Sequence, residues 1–219
     1  NAVNIQGDGD EVFDALVTAS VSAATATLDI SAPISATKLT GILSADTGLI
    51  TVAVADTAMA DLVGLVTPAG ATVNALAIIV NDTSVSASEM VALDEITTEA
   101  IAANSIETVT GSAADIAAFQ AAIAAGTIVA SPRFDAVIEE SDDAASAAEI
   151  SAVADPTGFD PLSVDATDVA TVTGSAAEVI AAYAKTNINS GDLGDETIVL
   201  TETNNSIDAV ADRDFVLDF

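Results

Sequence analysis

The chain has 219 residues, 51% of them hydrophobic but only 3% aromatic, so it can bury a core, though a thin one built from small aliphatic side chains. Its 34 Asp and Glu stand against four basic residues, a net charge of -30 that repels nucleic acid and anionic lipid and favours divalent cations as small partners. Cysteine and histidine are absent, which excludes disulfides, thiolate metal sites, haem ligation and the usual general base near neutral pH.

In chain order, helix starts are the clearest signal, because a capping Ser or Asp with an acid three residues on satisfies two orphan backbone donors. Asp8 with Glu11 begins the series. A strand is predicted at Leu28–Ser31 (LDIS), then a start at Ser35–Lys38 leading into the apolar stripe Leu39, Ile42 and Leu43. VAVAD (Val52–Asp56) is the next strand, followed by a weak start at Ala58–Asp61 and the stripe Leu62, Val63 and Leu65. AIIVND (Ala77–Asp82) precedes a start at Ser86–Glu89 and the stripe Met90, Val91 and Leu93. IETVTG reads as extended and runs into Ser112–Asp115, with Ile116, Phe119 and Ile123 as its stripe. Further on come AVIEES (Ala136–Ser141), a start at Ser146–Glu149, LSVDAT (Leu162–Thr167), VATVTG, and a start at Ser175–Glu178 with Val179, Ile180 and Tyr183. IVLTE (Ile198–Glu202), a weak start at Asn205–Asp208 and a strand in DFVLDF (Asp214–Phe219) close the chain. The longest apolar stretch, Ile116–Ala130, is broken by Gln120 and Thr127 and is too short to span a membrane. A chain opening at Asn1 is expected of an internal piece of something longer.

The cap positions 8, 35, 58, 86, 112, 146, 175 and 205 step by 23 to 34 residues, the length of one short strand plus one short helix. Two blocks, VTGSAADIAAF from Val109 and VTGSAAEVIAAY from Val172, repeat 63 residues apart. Such short helices are marginal alone and gain stability by laying their stripes on neighbours. The expected fold is therefore α/β, a right-handed parallel solenoid of about eight strand-helix coils in one repeat-built domain, 1–219. Approximate coils are 1–26, 27–48, 49–73, 74–99, 100–131, 132–158, 159–194 and 195–219. The alternative is a compact doubly wound α/β domain.

The longer unit, IIVNDTSVSASEMVALDEITTEAIAANSIETVTGSAADIAAFQAA, and its partner LSVDATDVATVTGSAAEVIAAYAKTNINSGDLGDETIVLTET resemble the acidic Ala/Thr/Val-rich repeats of giant secreted cell-surface proteins of cyanobacteria and other marine bacteria. The resemblance covers about Ala77 to Thr203. It implies an extracellular, adhesive or motility-associated setting and carries no catalytic residues.

Acids and amides recur at predicted strand ends: Asp29, Asp56, Asp82, Asn104, Glu139, Glu140, Asp165 and Glu202. Stacked about 4.8 Å apart they would repel one another, and calcium, a hard cation that prefers carboxylate oxygens, could bridge them. Candidate calcium ligands are Asp8, Asp10, Asp82, Glu139, Glu140, Asp142 and Asp143; the plainer reading is a solvated acidic edge with capping duties. No nucleophile paired with a base stands out, and aromatic platforms for a sugar are scarce. The expected function is non-enzymatic: a structural extracellular module of a surface or filament-forming protein, associating with copies of itself. A calcium-dependent adhesin module for a glycan or protein ligand is the alternative, and a solenoid carbohydrate-active enzyme the third.

Overall fold

A computed structural model describes residues 4–19, 26–45, 48–66, 73–131, 133–139, 144–155, 162–188 and 197–201. The elements run in chain order as β1 (Asn4–Gly7), α1 (Gly9–Phe13) continued by a π-helical turn (Asp14–Thr18), β2 (Thr27–Ile30) and α2 (Ala36–Ala45). β3 (Ile50–Ala53), α3 (Met59–Leu62), β4 (Ala75–Ala77), β5 (Ser84–Ser86) and α4 (Ala87–Asp94) follow. Next come β6 (Ile101–Ala103), β7 (Thr108–Gly111), α5 (Ala113–Ala125), β8 (Ile128–Ala130), β9 (Asp135–Ile138) and β10 (Ala144–Ser146). α6 (Ala147–Ala154), β11 (Ser163–Asp165), β12 (Thr171–Gly174), α7 (Ala176–Tyr183) and β13 (Thr197–Leu200) complete the described set. The weak start at Asn205–Asp208, the acid Glu202 and the DFVLDF strand lie outside the described residues.

The chain divides into two compact units. The first comprises Asn1–Asp82, Glu89–Ser105 and Ala125–Ala130. Its larger sheet pairs β1, β2, β3 and β4 in parallel and in chain order, and β6 pairs with β8 in a second. Alternation drives the burial: Leu28 and Ile30 of β2 are buried while Asp29 between them is exposed. Helix α2 lays Leu39, Ile42 and Leu43 into the same core, all at most 1% exposed. Buried polar side chains finish the strand starts. Asn74 Oδ1 accepts from the Ile50 N–H at 2.9 Å, and Thr97 Oγ1 accepts from the Leu76 N–H and donates to the Leu76 carbonyl, each at 2.9 Å.

The second unit comprises Thr83–Ser88, Ile106–Ala124 and Ser131–Phe219. It holds two parallel sheets, β5-β7-β9-β11 and β10-β12-β13, again in chain order. Its core centres on Phe119 and Phe134, fully buried and edge-on with ring centres 5.7 Å apart. Ile116, Ile150, Val164 and Val172 are likewise fully buried.

None of the four sheets reverses its strand order, so the switch point of a doubly wound sheet does not occur among the described residues. Parallel partners are offset along the chain by 22 residues, as for Leu28 and Ile50, to 28, as for Asp135 and Ser163. The 34-residue step from cap Ser112 to cap Ser146 is longer because β8, β9 and β10 all fall within it.

Local departures from expectation have local causes. Helix α3 has a single turn, so Val63 becomes its C-cap and is 45% exposed rather than part of a buried stripe. Ala58 makes no side-chain cap bond, having no acceptor to offer. On α7 the buried positions are Val179 and Ala182, while Ile180, about 100° further round than Val179, is 38% exposed. Tyr183 is half-buried, unlike Phe119.

Candidate functional site

Four of the strand-end acids, Asp29, Asp56, Asp82 and Asp165, accept hydrogen bonds from backbone donors, a hydroxyl or an amide. Asp56, just after β3, reaches back to the start of α2, where its Oδ2 accepts from the Ala36 N–H at 2.6 Å. Asp82 does the same for α3, accepting from the Met59 N–H at 2.8 Å. A one-turn helix whose own N-cap is alanine thus takes its cap from a residue 23 positions later. Asp29 accepts from Gln6 Nε2 at 3.1 Å, Asp135 from the Ser163 hydroxyl at 2.8 Å, and Asp165 from the Thr167 N–H and hydroxyl.

The register explains why these acids do not form a stacked carboxylate edge. Asp29 pairs with Gln6 on one side and Thr51 on the other; Asp135 sits between Thr108 and Ser163, and Asp165 opposite Val137. In the pairings of the described strands, no acid faces an acid.

The candidate calcium ligands do not come together. Asp8 is the N-cap of α1 in a full capping box with Glu11, its Oδ1 accepting from the Asp10 and Glu11 N–H groups at 3.0 and 2.9 Å. Asp10 forms an ion pair with Lys38, whose ammonium lies 6.0 Å from the centre of the Phe13 ring. That hydrogen bond, reinforced by the charges of Asp10, Asp14 and Asp8, holds the Lys38 pKa above its ordinary value. Asp82 caps α3, and Glu139 is exposed with its N–H bonded to the Gly111 carbonyl. Glu140, Asp142 and Asp143 lie outside the described residues. Among the described residues no three acids converge as a metal site requires.

The repeated VTGSAA block is a strand-to-helix corner. In each copy the strand ends at a glycine with positive φ, +147° at Gly111 and +157° at Gly174, which L side chains rarely adopt. A β-carbon there would also lie 3.4 Å from Ala87 Cβ or 3.3 Å from Ala147 Cβ, the first residues of α4 and α6. Ser then caps the helix: Ser112 Oγ accepts from the Asp115 N–H at 3.1 Å, and Ser175 closes a full capping box with Glu178. The Ser175 N–H, and after it the Ser175 hydroxyl, hold the Glu178 carboxyl below its ordinary pKa. Ser146 makes the same box with Glu149, whereas the Ser86 hydroxyl bonds Ser88 Oγ at 3.0 Å.

Helix C-termini are also tied to neighbouring segments. Gln120, buried on α5, donates to the Val153 carbonyl at 3.0 Å, and Asn187 donates to the Ala154 carbonyl at 2.7 Å, both at the end of α6. These amides were illegible as site residues in the sequence, since nothing in the spacing marks which carbonyl an amide 33 residues away will meet.

The described surface of the first unit carries one further feature. Beside the short α3 opens a groove of about 360 Å³. It is lined by buried Leu62, Leu65, Leu93 and Ile96, by exposed Val63 and Val66, at 45% and 61%, and by the exposed residues Glu89, Ala92 and Glu95. Sequence reading missed it because Leu62, Val63 and Leu65 looked like one core stripe. No protein-family model, curated protein or solved structure is similar enough to this chain to match it.

Proposed function

We propose that the chain is a structural repeat module: a rigid acidic scaffold that continues as a right-handed parallel solenoid and associates with copies of itself through its sheet edges. The observation carrying this reading is the cross-segment capping of α2 by Asp56 and α3 by Asp82, since each helix is completed only when the next strand has been laid down. In-order parallel strands whose partners are offset by 22 to 28 residues support it. Fixed side chains here serve neighbouring backbone, which is what a spacer needs and a catalyst does not. An extracellular or cell-surface setting rests on the resemblance of the VTGSAA repeat. A calcium-dependent adhesin is the lesser reading, because Asp8, Asp10 and Asp82 are already engaged with backbone donors or Lys38.

With a net charge of -30, homotypic contact is opposed at low salt and released as the screening length shrinks from about 30 Å at 0.01 M to about 3 Å at 1 M. Negative-stain electron microscopy of purified protein across that range is the test. End-to-end rods lengthening with salt are expected; monomers of constant size at every salt concentration would remove self-association from the proposal.

A further inference from the structure

The groove beside α3 points to a binding surface, and we propose that it receives a cationic amphipathic helix from a partner protein. The groove exists because α3 stops after one turn, Met59–Leu62, where α2 runs for 10 residues and α4 for 8. Val63 and Val66 are thereby left at 45% and 61% exposure in a groove also lined by buried Leu62, Leu65, Leu93 and Ile96. Gly64, between them, has nothing within 4 Å of where a β-carbon would stand, so the chain is open to solvent there. Exposed apolar side chains grouped in a concavity mark interaction sites.

Charge selects the occupant. Glu89, in the first turn of α4, and Glu95, just past its last residue, both line the groove. Lys or Arg residues seven positions apart lie on one face of a docked helix, about 10 Å apart along its axis, and meet the two acids while the side chains between them fill the groove, the usual helix-in-groove mode. A second copy of this chain is the wrong partner for this surface. It carries the same charge of -30, and of its four basic residues Lys38 and Lys185 are paired with Asp10 and Asp155. A basic partner is drawn in by the field of the whole molecule and positioned by the apolar contact.

The probes are labelled synthetic peptides of about 14 residues, four helical turns. One has Leu on one face and Lys on the other; the second is a scramble of the same composition; the third replaces Lys by Glu. Fluorescence anisotropy against the full chain at 0.15 M salt should show binding of the first alone. Val63→Asn with Val66→Asn, both exposed positions, should weaken it about tenfold, the loss of roughly 1.4 kcal/mol of apolar contact. Glu89→Gln with Glu95→Gln should weaken it more than the equally charged control Glu99→Gln with Glu107→Gln. Three results would overturn the proposal: equal binding of the scramble, which makes the attraction diffuse; indifference to the valine pair; or self-association in sedimentation equilibrium that disappears in the valine variant, which gives the groove to a second copy.

Discussion

Asp82→Ala separates a capping role from a metal role in one residue. The carboxylate accepts from the Met59 N–H at 2.8 Å in a partly buried setting, and Ala58 gives α3 no cap of its own. Losing an N-cap acceptor costs about 0.5 to 2 kcal/mol, and bonds to charged acceptors lie toward the upper part of that range. An opposing effect must be weighed, because the substitution also removes one of 34 negative charges. Two like charges about 10 Å apart repel by roughly 0.4 kcal/mol in unscreened water, and salt at 0.15 M cuts that to about 0.1. Capping therefore wins, and a net loss of about 1 kcal/mol is expected, a fall of roughly 2 to 4 °C in melting temperature for a chain this long. Asp82→Asn is the control, since its amide oxygen keeps the acceptor while the charge is gone, and it should recover most of the loss. Amide exchange at Met59 reports the same bond locally. Both measurements should be unchanged by a chelator. A loss equal in the Asn and Ala variants, or one that vanishes when divalent ions are removed, refutes the cap.

Two further outcomes follow from the VTGSAA corners. Gly111→Ala and Gly174→Ala should each cost about 1 to 2 kcal/mol in urea titrations, from positive φ together with close approach to Ala87 or Ala147; an unchanged midpoint in both would mean that the corner tolerates a side chain. Because the folded-state pKa of Glu178 is depressed by Ser175, its contribution is present above the ordinary carboxylate pKa and is lost as pH falls through the lowered folded value. In Ser175→Ala the Glu178 pKa, followed by carboxyl-carbon NMR, should move up toward the ordinary range, and a titration curve that does not move would discount the capping box.

The α/β class with parallel strands was legible because its signals are local. Ser146, Ser175 and Asp8 announce helix starts with their own acid three residues on, and all three make the full box. Strands such as Leu28–Ile30 show β-branched or aliphatic alternation that survives in the burial pattern. What was not legible depends on neighbours distant in sequence. β5 and β10 have the composition of caps, Ser-Val-Ser and Ala-Ala-Ser, and become strands only because β7 and β12 lie alongside to pair with them. The acids of the candidate site were found, read both as calcium ligands and as a solvated edge with capping duties, but which helices they cap was not. Their acceptors' partners, Ala36 N–H and Met59 N–H, lie 20 and 23 residues earlier in the chain, beyond any local pattern.

The placement of those acids also bears on how parallel strands of so acidic a chain pair without like charges meeting. In an in-register parallel sheet, equivalent side chains of successive rungs stand about 4.8 Å apart. An acid kept at one position of every rung would repel its neighbours by about 0.9 kcal/mol per pair even in bulk water. A perfect acidic repeat would accumulate that cost along the stack. Here each ladder acid faces a different residue type, and the donors Gln6 and Ser163 stand beside Asp29 and Asp135 and bond them. Asp56 and Asp82, past the ends of β3 and β4, turn toward the positive N-terminal ends of α2 and α3, where a carboxylate is stabilised. In the described sheets, the mixed residue types opposite each ladder acid are thus what keep like charges from facing one another across paired strands.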